Sequence, residues 1–117
     1  MQKKIAILLP YKEKYTKNEA AAASIWVKDY LFYSSLKDQT LVFGNINKDK
    51  KPISSNFVNL NIDKVKFSKN YFYTKKFLQE NNKYNFEIIE IHNRPESLVY
   101  LLKKKVKSKF IFIYHNN

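Results

Sequence analysis

The chain has 117 residues, of which 44% are hydrophobic, and carries a formal net charge of +12 at pH 7 with no cysteine. This composition allows one globular domain without room for a second lobe, and it excludes disorder, a disulfide framework and thiol chemistry. Since 21 of the 22 basic residues are lysines and the other residues of A/T-rich codons are also abundant, codon bias explains the charge more simply than a polyanionic partner does.

The amino-terminal part of the chain predicts a strand followed by a long helix. Residues 4–10 form a nearly continuous apolar run that ends at Pro10, which is typical of a strand buried on both faces of a parallel sheet. This run is too short for a signal peptide or a membrane span, so we expect a cytoplasmic protein. Thr16 and Glu19 have capping-box spacing. Beyond them, helical spacing relates Ala23, Trp26, Val27, Tyr30, Leu31 and Ser34.

The middle of the chain predicts two strands and a second helix. Residues 40–43 indicate a strand, and Gly44, the only glycine, indicates a turn with positive φ. After a polar loop over residues 47–56, alternation over residues 57–62 predicts a third strand near the sheet edge. Ser68 is expected to cap a helix over residues 69–82, with Tyr73 and Phe77 on its inner face.

The stretch from residue 86 to residue 97 predicts a buried strand that runs into a turn and a helix. The strand is rich in isoleucine, and Pro95 suits the first turn of a helix. Asn93 and Glu96 have capping-box spacing. These features alone describe a strand-to-helix turn, but they do not explain His92 or Arg94, the only arginine of the chain.

The carboxy-terminal part predicts an amphipathic helix over residues 95–107 and a fifth strand over residues 110–114. Lysines at the end of this helix complement the helix dipole, which favours a solvated face over a binding patch. The last strand is apolar enough to be buried and central. Since a domain seldom ends on such a strand, we expect the sequence to be part of a longer protein.

The order of these elements predicts an α/β fold, a Rossmann-like parallel sheet with helices on both faces, in a single domain over residues 1–117. The usual arrangement places the first strand beside the fourth, with the winding reversed between them. Ligands bind at that reversal, outside the carboxyl ends of the strands. Both histidines of the chain, His92 and His115, follow strands that end on this rim.

Several common sites are excluded by their missing motifs. No His, Cys, Asp and Glu spacing is typical of a metal site. Neither a G-x-G-x-x-G sequence after the first strand nor a Walker motif is present, and a nucleophile elbow is also missing.

Four segments of the chain match the motifs of one enzyme family: residues 5–10, the small-residue helix start at residues 18–23, the strand that ends in residues 90–96, and the later strand that ends in residues 114–117. On these segments the chain resembles, over nearly its whole length, the amino-terminal half-domain of family 4 glycosyltransferases of the GT-B fold. In this family one strand closes with a His-Asn-Arg-Pro motif and the next with His-Asn-Asp-Pro. Asn117 stands here where Asp is common.

The resemblance implies a retaining transferase without a metal or another cofactor, in which a nucleotide-sugar serves as donor co-substrate. His115 matches the catalytic histidine. The family's glycine pair near the donor phosphates is replaced by Glu19, Ala20 and Ala21, although the amino end of the helix suits a diphosphate. The implied substrate-binding residues are His92, Asn93, Arg94, Glu96, Glu19, Ala20 and Asn116.

The resemblance also implies partners. The acceptor is a cell-envelope glycan or a lipid-linked glycan, so peripheral contact with the inner membrane face is expected. A carboxy-terminal donor domain supplies most of the nucleotide pocket in this family, so this half-domain is expected to be inactive alone. The alternatives are a basic α/β module that binds nucleic acid or an anionic membrane through lysines in residues 103–109 and 48–51, and a truncated remnant without activity. No aromatic residues alternate with those lysines, which disfavours nucleic acid.

Overall fold

Five parallel strands form one sheet in the computed structural model, which describes residues 2–115. Three α-helices and one turn of 3₁₀-helix, Lys37–Gln39, connect these strands. The strands are β1 (Ile5–Leu8), β2 (Thr40–Gly44), β3 (Phe57–Asn59), β4 (Ile88–His92) and β5 (Lys109–Ile113), and the helices are α1 (Ala22–Tyr33), α2 (Lys69–Tyr84) and α3 (Pro95–Lys103).

The sheet has the strand order β3-β2-β1-β4-β5. Ile5 is in register with Thr40 of β2 on one side and with Ile88 of β4 on the other. The chain therefore starts at the centre, winds outward to β3, and then returns to build the other half. The predicted α/β Rossmann-like fold is confirmed, and so is the predicted pairing of the first and fourth strands, between which the winding reverses.

The two faces of the sheet pack into two separate hydrophobic clusters. Alternate residues of β1 point to opposite faces, as the period of a strand requires. Ala6 and Leu8 join the cluster under α2 and α3, whereas Ile7 joins the cluster under α1. The helices therefore cover both faces. The first cluster includes Phe43, Tyr73, Phe77, Ile89 and Leu101, and the second includes Leu9, Val27, Leu31 and Val42.

Tyr73 secures the carboxyl ends of the central strands. Its hydroxyl donates to the Leu9 carbonyl at 2.6 Å, with the Phe43 carbonyl 3.4 Å away. The Leu9 carbonyl would otherwise be unpaired at the buried end of the ladder, which is costly, whereas the Phe43 carbonyl already accepts from the backbone N–H of Leu9. Burial, reinforced by the charge of Glu13, raises the pKa of Tyr73 well above 10, so the phenol stays protonated and keeps donating.

Two predicted helix caps are wrong. α1 begins at Ala22, and Thr16 instead donates to Glu19 at 3.0 Å within a separate turn. Ser68 precedes α2 as predicted, but its backbone is left-handed (φ 50°) and its hydroxyl caps nothing. Thr16 lies too far before α1 to reach its free amides, and the left-handed backbone at Ser68 turns its hydroxyl away from those of α2.

The predicted capping box at α3 is also wrong, although Pro95 does occupy the first turn. Asn93 is left-handed (φ 62°), and its amide oxygen bonds elsewhere. The helix ends at Lys103 and not at residue 107. Lys105 is left-handed (φ 59°), which reverses the chain so that Val106 packs on the hydrophobic cluster.

The two edge strands differ from their predictions. β3 lies at an edge as predicted but ends at Asn59, because Asn61 is left-handed (φ 39°). The prediction that the last strand is buried and central is wrong. β5 forms the other edge, where Ile111 and Phe112 are 46% and 37% exposed. Its apolar sequence alone does not distinguish an edge from a centre, since the edge strand β5 and the inner strands β1 and β4 are all rich in isoleucine.

Gly44 does not adopt positive φ, contrary to the turn prediction; it lies within β2. A Cβ atom there would come within 2.9 Å of the Phe57 ring. We therefore expect Gly44→Ala to lower the free energy of unfolding by about 1–3 kcal/mol through overpacking. Urea denaturation measures this, and Gly44→Ala combined with Phe57→Leu should recover part of the loss. Equal losses in the single and double variants would contradict this explanation.

No helix within residues 2–115 combines the length and the apolar character needed to cross a membrane.

Candidate functional site

The two histidines contact each other at the carboxyl edge of the sheet. His92 is the last residue of β4 and is fully buried, and His115 follows β5. His92 Nδ1 lies 2.8 Å from His115 Nε2. Their rings are inclined by only 14° with centroids 5.0 Å apart, so the nitrogens face each other nearly edge to edge. Parallel pairing of β4 with β5 produces this contact.

Glu90 extends the histidine pair into a chain of three side chains, which we call the Glu90–His92–His115 relay. Glu90 precedes His92 by two residues on β4, so both side chains project from the face that α1 covers. The Glu90 Oε2 to His92 Nε2 distance is 2.7 Å, and the Glu90 side chain is buried. A buried carboxylate requires such a partner.

The relay fixes the positions of the ring protons. An ionised carboxylate only accepts hydrogen bonds, so Nε2 of His92 carries a proton and donates it to Glu90. When His92 is neutral, its Nδ1 is bare and accepts from Nε2–H of His115. The Nδ1 atom of neutral His115 is left with its lone pair, which gives the relay a terminal hydrogen-bond acceptor.

Trp26 covers the relay from α1. Its ring makes edge contacts with His92 (centroids 5.3 Å apart) and with His115 (6.3 Å), and it stacks on Tyr30 at 5.4 Å. The sequence places Trp26 in the buried stripe of the helix, yet 37% of it is exposed. It is the only tryptophan of the chain, so its fluorescence reports on this site alone.

Asn93 holds His115 in place. The side-chain amide oxygen of Asn93 accepts from the backbone N–H of His115 at 2.6 Å, and the backbone N–H of Asn93 donates to the Ile113 carbonyl. This bridge uses the left-handed backbone that Asn tolerates better than most residues. The strand-to-helix turn therefore orients the catalytic candidate and does not cap α3.

The pKa of His115 is lowered, first by burial and then by the positive charge that His92 carries when it is protonated, while the charge of Glu90 opposes both effects. The native state therefore binds a proton less readily than the unfolded chain. The stability that depends on neutral His115 is full above the unfolded value of about 6.5 and falls as the pH drops below it. His115 is accordingly neutral and able to accept a hydrogen bond at physiological pH.

Glu13 approaches the site from the loop after β1. Its Oε1 accepts from the Ala23 N–H at 2.9 Å, and it thereby caps α1 in place of the predicted box. Its Oε2 is buried without a hydrogen-bond partner within residues 2–115. Burial raises the pKa of Glu13, opposed by the amides of Ala23 and Ser24 and by the charge of His92. The carboxyl thus lies near the relay with one oxygen free.

The raised pKa of Glu13 has a consequence for stability. The native state binds the proton more tightly than the unfolded chain, so this contribution is full below about pH 4.3 and is lost as the pH rises through the native value. The substitution Glu13→Gln removes the charge but keeps a side-chain oxygen that can accept the hydrogen bond from the Ala23 N–H. We expect the variant to equal or exceed the wild type in stability at pH 7 and to lose that advantage at pH 3–4. Urea denaturation across this pH range measures the difference. Glu19→Gln, on the exposed turn, is the control, and a constant difference at all pH values would contradict the assignment.

The other predicted site residues lie apart from the relay. Arg94 and Glu96 line a cavity between α2 and α3, on the opposite face of the sheet from α1. Glu19 lines a small cavity with Lys50 and Lys51, and Ala20 is a half-buried residue in the loop before α1. Asn116 lies outside the described residues.

Sequence reasoning missed Glu90, Glu13 and Trp26 as site residues. Glu90 carries a usable signal, because a carboxylate in an apolar strand two residues before a histidine must share its face. Glu13 carries none, since the conformation of the loop after β1 decides where it lies. Trp26 carries none either, because only the packing of α1 on the sheet brings it beside the histidines. Within residues 2–115, no group of three or more His, Asp or Glu side chains is placed to hold a metal ion.

Comparisons of the chain with protein-family models, with curated proteins and with solved structures find no match.

Proposed function

We propose that the chain is the acceptor-side domain of a retaining glycosyltransferase that takes a sugar from a nucleotide-sugar donor. The acceptor is a cell-envelope glycan or a lipid-linked glycan. The observation that supports this function best is the Glu90–His92–His115 relay at the point where the winding of the sheet reverses. Open parallel sheets bind their ligands at that point, and the sequence resemblance assigns the catalytic histidine to His115.

His115 would act as a hydrogen-bond acceptor for a hydroxyl of the transferred sugar. Its Nδ1 lone pair is available because Glu90 and His92 fix the tautomers behind it, and its lowered pKa keeps the ring neutral. Trp26 offers an apolar surface beside it on which a sugar ring can pack. In this proposal Glu90 and His92 are positioning residues, and a donor-binding domain supplies the contacts to the leaving diphosphate.

A second candidate is a basic module that binds an anionic partner. Lys104, Lys105, Lys107 and Lys109 surround a cavity of about 690 Å³ at the amino end of β4 and β5. This cavity lies at the edge opposite to the relay. Binding there would weaken steeply with salt and would not depend on His115.

Trp26 fluorescence tests the transferase proposal. Neutral saccharides and uridine diphosphate sugars are titrated into the wild type and into His115→Ala. We expect at least one saccharide to change the emission of the wild type in a saturable manner, with a loss of at least about tenfold in affinity in His115→Ala. Lys107→Ala, at the opposite edge, is the control. A saccharide response that His115→Ala leaves unchanged, or no response at all, would overturn the role of His115.

An activity measurement tests the same role. Transfer is followed in the natural polypeptide, and His115→Ala should abolish it while the circular dichroism spectrum and unfolding midpoint stay unchanged. Turnover close to that of the wild type would contradict the proposal. A response confined to polyanions at low salt would instead favour the basic module.

A further inference from the structure

We propose that the cavity between the start of α2 and the length of α3 is a second binding site, which takes the phosphate group of a phosphorylated saccharide or polyol. The cavity has a volume of about 520 Å³. It lies on the face of the sheet opposite to Trp26, and Arg94 is one of its lining residues. Arg94 and Glu96 are also among the substrate-binding residues that the resemblance implies, but this inference rests on the contacts of the cavity itself and is tested separately from the role of His115.

Arg94 is the residue that points to a ligand. Its Nε atom is buried and has no hydrogen-bond partner within residues 2–115, and neither ion pair found in that part of the chain involves it. A buried donor without a partner is costly in a folded protein. The guanidinium lies 5.1 Å from the centroid of the Tyr11 ring, and this cation–π contact orients its planar fork. The fork matches two oxygens of a phosphate, which a lysine does not.

The charges around Arg94 favour an anion. Lys69 at the start of α2 and Lys103 at the end of α3 line the same cavity, and Glu96 is the single carboxylate among the lining residues. Three cations against one carboxylate suit a phosphate that carries one or two charges. Glu96 and Asn70 add acceptors for hydroxyl groups, which favours a sugar or polyol over inorganic phosphate alone.

A buried hydrogen-bond cluster gives the cavity a rigid floor. The hydroxyls of Thr74 (α2) and Ser97 (α3) lie 2.8 Å apart, and Thr74 also donates to the Asn70 carbonyl at 2.8 Å. The Asn70 side chain donates to Ser97 at 3.2 Å. These bonds fix the spacing of the two helices, so Arg94 and Lys69 are preorganised before a ligand binds.

Aromatic rings form the outer wall of the cavity. Tyr71 of α2 and Tyr100 of α3 meet edge to face with centroids 5.5 Å apart, and Val99 is half exposed beside them. Such a wall packs against the face of a sugar or polyol while the phosphate reaches Arg94. A free sugar phosphate and the phosphorylated headgroup of a lipid both present this chemistry.

Because Arg94 is the only arginine, its Nε–H gives a single arginine side-chain signal in a ¹H–¹⁵N NMR spectrum. Glucose 1-phosphate, inositol 1-phosphate and inorganic phosphate are titrated, with glucose as the neutral control. We expect a saturable shift of this signal with a phosphorylated compound and none with glucose. In Arg94→Lys, followed through the backbone amides of residues 69–71 and 96–100, affinity should fall by at least about tenfold, because the charge is kept but the fork is lost.

Vesicles distinguish the two sources of the ligand. Co-sedimentation with phosphatidylinositol vesicles is compared between the wild type and Arg94→Lys, with phosphatidylglycerol vesicles as the control for general charge attraction. If the soluble phosphates bind the wild type and bind Arg94→Lys more weakly, the ligand is a free phosphorylated compound. If only the phosphatidylinositol vesicles bind in a way that requires Arg94, the ligand is a lipid headgroup. The proposal is contradicted if Arg94→Lys matches the wild type in every one of these measurements. It is also contradicted if phosphate shifts the NMR signals of surface lysines uniformly. Trp26 fluorescence with neutral saccharides tests the transferase proposal separately.

Discussion

Glu90→Gln should lower the pKa of His115 further and release the tautomers of both histidines. The carboxylate of Glu90 raises the pKa of His115, so its removal acts in the opposite direction. A glutamine can either accept from His92 Nε2 or donate to it. In the second arrangement His92 carries its proton on Nδ1, His115 Nε2 becomes the acceptor, and the Nδ1 lone pair of His115 is lost. If His115 serves transfer as proposed, the rate should fall by about 10²-fold or more.

Long-range ¹H–¹⁵N spectra of the imidazole rings measure the tautomers, and a pH titration of His115 measures the pKa. Glu87→Gln is the matched control, because Glu87 is exposed and lies just before β4. It should leave both ring spectra unchanged. Identical tautomers and an identical His115 titration in Glu90→Gln and the wild type would show that Glu90 does not set the relay. A lower unfolding free energy with unchanged tautomers would reduce Glu90 to a structural residue.

Phe77→Ala should lower the free energy of unfolding by about 3–5 kcal/mol, the usual cost of removing a buried phenyl ring. Phe77 of α2 is fully buried and meets the Phe43 ring edge to face, with centroids 5.0 Å apart. Since a domain of this size has only about 5–15 kcal/mol of stability in total, this single change should remove a large part of it.

Phe72→Ala is the control for Phe77→Ala, because Phe72 lies on the same helix and is 40% exposed. We expect Phe72→Ala to change the free energy of unfolding by less than about 1 kcal/mol. Chemical denaturation followed by far-ultraviolet circular dichroism measures both variants. Similar losses in the two would show that α2 does not pack on the sheet through the Phe77 face.

The architecture could be predicted from the sequence because its signals are long and physical. Apolar runs that end in polar turns mark parallel strands, and helices between them cover both faces. The details that failed depend on single dihedral angles. Asn61, Asn93 and Lys105 are left-handed, and each of them ends or redirects an element that the periodicity continues. The turn predicted at Gly44 is wrong for a different reason. Glycine is needed there because the ring of Phe57, on β3, occupies the space beside it.

The histidine pair could be anticipated as neighbours because strand order alone places His92 and His115 at the same edge. Their hydrogen bond, and its continuation to Glu90, needs the register of β4 against β5, which the sequence does not specify. Arg94 was singled out as the only arginine, but its place on the other face follows from the turn after β4. The contribution of Glu13 depends on how the loop after β1 folds back to α1.

The central position of β1 determines when this fold can be completed during synthesis. β1 leaves the ribosome before the other strands, and its partner on one side, β4, follows only after β2, β3 and the first two helices have been made. Until then one edge of the most apolar strand is unpaired, while β2 protects the other. Pairing between strands that are distant in sequence slows folding and prolongs the exposure of unpaired strand edges, which are prone to aggregation. Slower translation before β4, or chaperone binding to the first strands, should therefore affect the yield of folded protein more than events near β5.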